Sequence, residues 1–263
     1  MVHERHARRL AVLSGRSGVG KTFITANMAA ELAASGLRVL VLDAKGGPAG
    51  MDLLVGAPAK LTLGDGLRGF APMEDLAVAT CGGFDLIPVG QGVLEGTALT
   101  PALAYKIEHA LRLLEDRYAI MLFNLGSGTG DVVVYFARLA QDVLLVLTPE
   151  TAGLADACAA IKVLALRYAR DSFGIVVNQA NPQRPEHEGM KVTNKLQRAA
   201  ERLLNKEGHP GVNLHLMACI ASDPAVPESI ANRSILSRTK GDSAAARALR
   251  KLAGNYGPDG FVV

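Results

Sequence analysis

Residues 10–22 read LAVLSGRSGVGKT: a short apolar run, a glycine-rich loop and the first residues of a helical pattern. Gly15, Arg16, Ser17, Gly18, Val19, Gly20, Lys21 and Thr22 fill the spacing GxxxxGK[ST] at every fixed position. An apolar strand before the loop and a helix after it make this spacing a phosphate site. The glycines let backbone N–H groups converge on phosphate oxygens, and the helix N-terminus adds positive potential. Lys21 is expected to reach the β- and γ-phosphates, and the Thr22 hydroxyl to ligate Mg²⁺. A merely structural glycine-rich turn does not require all of these positions together.

On either side of this loop, apolar runs alternate with helical patterns. Residues 37–42 (LRVLVL), 85–89, 118–123, 142–147, 173–177 and 214–219 read as buried strands. Residues 21–35, 101–115, 132–140, 155–168, 188–205 and 243–253 read as helices. Near-continuous apolar strands alternating with helices predict an α/β, doubly wound, mostly parallel sheet covered on both faces. No repeat or low-complexity tract interrupts the pattern, so residues 1–263 are expected to form one nucleotide-binding domain. Residues 180–189, with two prolines and several charges, read as a surface loop.

Composition narrows the function classes. A net charge of +3 gives no global argument for DNA or membrane binding. Three cysteines, Cys81, Cys158 and Cys219, lie far apart with no CxxC pair. That count points to a reducing cytosol and away from a disulfide framework or zinc site. No run reaches the roughly 18 apolar residues of a membrane span, and no leader pattern is visible. The expected location is cytoplasmic, at most peripheral to the inner membrane face.

The loop and several later segments resemble the deviant Walker A group, the MinD/ParA family of P-loop proteins. VLVLDAKGGPAGMDLLVG at 39–56 resembles that family's second motif, and IMLFNLGSGTGDVV at 120–133 its switch II motif. LTPETAGLADACAAIKVL at 147–164, VVNQA at 176–180, DPAVPESI at 223–230 and DSAAARALRKLA at 242–253 are similar to one branch, the flagellar-number regulators FlhG and FleN. By this resemblance Arg16 occupies the position of a signature lysine that reaches the partner subunit's nucleotide, keeping charge but changing its shape. Asn178 and the Asp223-Pro224 turn would hold adenine. Asp43 would support Mg²⁺ or the P-loop lysine.

Two departures from the family pattern bear on catalysis. Lys45 stands where the family has the aspartate that positions the attacking water, and Asn124 where it has the aspartate that holds the Mg²⁺ water shell. A charged lysine cannot accept the water's proton, and an asparagine brings no charge to hold a metal. Losing a positioned acid/base group typically costs about 10²–10⁴ in rate. Asp43, Asp52 and Asp131 are the nearby acids that could substitute, with Asp131 read as an N-cap.

The resemblance therefore implies a regulatory switch that binds ATP or ADP with weakly held Mg²⁺ and hydrolyses slowly or not at all. It also implies a nucleotide-dependent homodimer and a protein partner in a flagellar or similar polar machinery. The alternatives are an active MinD/ParA-type ATPase, and a partition or assembly factor for DNA, cellulose synthesis or secretion machinery. Against DNA, the nearest basic stripe is Lys191, Lys195, Arg198 and Arg202 on one charged helix, an arrangement usual for a solvated face. The helix at 243–253 has a small, alanine-rich apolar face, so membrane contact is expected to be weak and peripheral at most.

Overall fold

A computed structural model describes residues 7–45, 50–90 and 99–257. Its strands are β1 (Arg8–Ser14), β2 (Val39–Ala44), β3 (Val78–Ala79), β4 (Asp85–Pro88), β5 (Ile120–Ser127), β6 (Asp142–Leu147), β7 (Ser172–Ala180) and β8 (Asn213–Ala221). They form one sheet in the order β3-β4-β2-β5-β1-β6-β7-β8. Only β3 runs antiparallel to its neighbour; the other pairs are parallel. The predicted doubly wound α/β fold is the observed one.

Between the strands lie α1 (Lys21–Ala34), α2 (Met51–Leu54), α3 (Leu63–Leu67), α4 (Pro101–Glu115), α5 (Asp131–Leu139), α6 (Thr151–Tyr168), α7 (Pro185–Asn205), α8 (Ala225–Ala231), α9 (Leu236–Thr239) and α10 (Ala244–Gly254). Successive strand residues point to opposite faces, which divides the core in two. Ala11 and Leu13 face a cluster built with α4, α5, α6 and α7. Leu10 and Val12 face another, built with α1, α9 and α10. Burial on both faces explains why β2 and β6 are apolar almost throughout and why β1 is apolar from Leu10 to Leu13.

Local chemistry sets the helix starts. Thr100 accepts a hydrogen bond from Leu103 N, and Pro101 at the first helical position has no N–H to leave unsatisfied. The same preference corrects the reading of residues 180–189 as loop, because α7 begins at Pro185 and only residues 181–184 connect it to β7. Asp131 is the first residue of α5, and Gly130 is the N-cap expected at Asp131. The apolar face of α10 is not free for a membrane: Ala245, Leu249 and Leu252 are fully buried against the α1 side of the core. Beyond α10, Tyr256 is buried, with the Arg8 guanidinium 4.7 Å from its ring centroid.

Candidate nucleotide site

The register of three parallel strands brings the site together. Asn124 on β5 lies opposite Val12 on β1 and opposite Asp43 on β2. The loop 15–20 leaves the end of β1 beside them. Gly18 and Gly20 have φ of 81° and 92°, a left-handed conformation that favours glycine. Close approach fixes two positions further. A Cβ on Gly20 would stand 2.3 Å from Asn178 Nδ2, and one on Gly15 would stand 2.3 Å from the backbone of Asp156 in α6.

Lys21 opens α1 and is 5% exposed. Its Nζ donates to Ser14 Oγ at 2.7 Å, and Ser14 Oγ donates to the carbonyl of Arg16 at 2.5 Å. Burial, helped by the positive charge of Lys45, pulls the Lys21 pKa down to about 8. Both lysines, with Thr22, line a cavity of about 350 Å³ whose other walls include Leu53, Leu54 and Ile230.

Behind Thr22 is a buried polar chain. Asn124 Nδ2 donates to Asp43 Oδ1 at 2.7 Å and to Thr22 Oγ1 at 3.3 Å. Asp43 Oδ2 accepts Met51 N at 2.7 Å, and Oδ1 also accepts Lys45 N at 3.3 Å. Thr25 Oγ1 donates to the Lys21 carbonyl and reaches Asn124 Oδ1 at 3.5 Å. Asp43 therefore anchors the start of α2 and the Asn124 amide. Asp52 lies in the first turn of α2, with its carboxylate folded towards Gly50. Asp131 is exposed.

Mg²⁺ requires near-octahedral oxygen coordination. A carboxylate only accepts, so the Asn124 amide turns its N–H towards Asp43, and the same nitrogen faces the Thr22 hydroxyl. The position that should hold the metal's water shell thus presents a donor. The carboxylate beside it already takes three N–H groups. This set does not fit a hydrated Mg²⁺.

A second cavity, of about 510 Å³, shares Gly18, Gly20, Phe23 and Ile230 with the first. The two form one groove along the loop. Asn178, Asp223 and Pro224, the residues expected at adenine, line this second part. One N–H of the Asn178 amide donates to the Val19 carbonyl at 2.8 Å, so Asn178 also holds the loop. Asp223 has a structural duty: its carboxylate accepts Ala225 N at 2.9 Å and Ala245 N at 3.0 Å. Burial raises its pKa, but these backbone hydrogen bonds outweigh that and hold it below the ordinary value.

Arg16 stands apart, half exposed, with its guanidinium 3.2 Å from Glu150 at the start of α6. Ser14, Thr25 and Glu150 were not singled out from the sequence. Ser14 and Thr25 follow from helix and strand spacing around Lys21, but Glu150 is 134 residues from Arg16 and carried no local signal.

A glycine loop opening a helix, a buried lysine at its mouth and a groove leading to an amide define a P-loop nucleotide-binding protein. The family described as ParA, NUBPL iron-transfer P-loop NTPase, matches residues 5–256. The antiactivator FleN of Pseudomonas aeruginosa is 31% identical over 93% of this chain and 84% of its own. The flagellum site-determining protein YlxH of Helicobacter pylori is 26% identical over 93% of this chain and 80% of its own. The septum site-determining protein MinD of Pyrococcus horikoshii, solved with Mg-ADP, superposes with a TM-score of 0.71 at 22% identity, covering 95% of this chain and 96% of that one. The chain belongs to the ParA family of P-loop NTPases and is a MinD/ParA-like nucleotide-binding regulator related to FleN.

Proposed function

We propose that this protein is a nucleotide-dependent switch that controls flagellar number or placement and turns over ATP slowly or not at all. One observation supports the catalytic half: Asp43, the carboxylate of the polar network behind Thr22, is held by Asn124 and two backbone amides, and Lys45 stands in the sequence where the family resemblance puts the water-positioning aspartate. No general base is left facing the phosphates from this set. Kinship to FleN and YlxH supports the flagellar half. ATP would draw two copies together, with Arg16 leaving Glu150 to meet the partner's phosphates, and the paired form would engage a protein of the flagellar machinery.

Calorimetry with ADP and ATP tests binding, and phosphate release tests turnover. Binding with turnover far below the roughly 1–10³ s⁻¹ usual for enzymes is expected; ordinary turnover would make it an active ATPase. Expression in a P. aeruginosa strain lacking FleN tests the flagellar role, with restored flagellar number expected. An iron-transfer role, suggested by the family's description, lacks its chemistry here: cluster ligation needs grouped thiolates. Cys81, Cys158 and Cys219 sit on a turn, on α6 and on β8, and two of them are buried.

A further inference from the structure

We infer that this site binds the phosphates of a nucleoside di- or triphosphate without a divalent cation, the Lys45 ammonium taking the place of the metal. The inference rests on the nucleotide-binding reading above and specifies its charge balance.

The argument is one of charge and donor type. A P-loop that uses Mg²⁺ needs oxygen atoms with free lone pairs around the cation and acidic groups to hold its waters. At the two places where such groups would stand, this chain carries an amide and an ammonium. Asn124 Nδ2, 3.3 Å from Thr22 Oγ1, directs an N–H at the hydroxyl that would be a metal ligand. Asp43 Oδ1 accepts that same amide and Lys45 N, and Oδ2 accepts Met51 N. The cavity at the mouth of the loop is lined by both Lys21 and Lys45. Two ammonium groups on one small cavity repel each other and a third cation. Polyphosphate relieves that repulsion, because its oxygens accept from both lysines and from the loop amides. A divalent cation would compete with Lys45 for the same oxygens, at a site whose Asp43 carboxylate already accepts three N–H groups. Lys45 thus does by side chain what a bound metal does elsewhere: it neutralises the terminal phosphates. It cannot also lower the pKa of a water or fix one in line, so tight binding and poor hydrolysis have a single cause.

The test is calorimetric titration of the purified protein with ADP, and separately ATP, in EDTA and then in excess Mg²⁺. Binding of ATP at least about tenfold weaker in excess Mg²⁺ than in EDTA is expected, because Mg²⁺ complexes free nucleotide and so competes with a site that takes the metal-free form. The charge-swapped Lys45→Asp, Asn124→Asp variant should bind at least about tenfold more tightly with Mg²⁺ than with EDTA. Mn²⁺ resonance adds a direct readout: with ADP held by excess parent protein the spectrum should be that of aqueous Mn²⁺, and the double variant should broaden it. Parent binding that is unchanged or tighter with Mg²⁺, or a parent–ADP complex that immobilises Mn²⁺, overturns the inference while leaving nucleotide binding intact. No binding in either condition overturns both. The parent comparison stands by itself should the double variant fail to fold.

Discussion

Lys21 and Lys45 share one cavity but differ in what their removal should do. Lys21→Ala deletes a charge-assisted contact to phosphate and should weaken ADP and ATP binding by about 1.5–3 kcal/mol, measured by calorimetry. It should also free Ser14 Oγ, whose hydrogen bond from Lys21 Nζ closes the base of the loop. Catalysis should respond to the other pair. With Mg²⁺ at saturating nucleotide, Lys45→Asp alone should recover part of an ATPase rate, since a carboxylate returns beside the attacking water. Adding Asn124→Asp should recover more than the product of the single effects, because both groups act on one transition state. Parent turnover already equal to that of the double variant would show that another group, Asp43 or Asp52, does the work. Lys45, Asn124 and Asp43 were all legible as residues. Their mutual geometry was not, because the Asp43–Asn124 contact depends on the register of strands 81 residues apart.

Among the elements, those whose signals were local came through best. Residues 101–115 and 142–147 were read with their observed limits, because Thr100-Pro101 marks a helix start and DVLLVL is an unbroken apolar run. Residues 185–187 were misread because proline signals a break in isolation but is well placed in a helix's first turn. Short α8, seven residues with Pro227 inside it, has no periodicity to detect. Yet α8 matters, since Asp223 ties its first N–H and that of Ala245 in α10 to one carboxylate at the edge of the adenine part of the groove. Asp223→Ala should lower stability by about 1–3 kcal/mol, as loss of hydrogen bonds to a charged group does, and should raise amide exchange at Ala225 and Ala245. The lowered pKa sets the sign with pH. The carboxylate's contribution is complete at neutral pH and is lost as pH falls through its folded value, so parent and variant should converge in denaturant titrations on acidification.

For the molecule as a whole, the exposed Arg16–Glu150 pair is worth little in solvent, so releasing it costs little when a second copy brings phosphates within reach. Light scattering should show a mass that rises towards a dimer with ATP, less with ADP, and Arg16→Ala should reduce that rise. A mass indifferent to nucleotide leaves Arg16 a solvated loop charge. The strand order has a different consequence, one of timing. Among the described strands β1 comes first in the sequence yet lies centrally, and its two neighbours are β5 and β6, which end at Ser127 and Leu147. A ribosome must therefore release more than half of the chain before the phosphate loop's own strand gains both of its partners. Until then β1 has at least one edge open along its apolar run Leu10–Leu13, the kind of segment that pairs with the wrong chain. Contacts of such long sequence separation form slowly, so the yield of folded protein should be governed by how well the nascent first half is shielded while residues 128–147 are still being made.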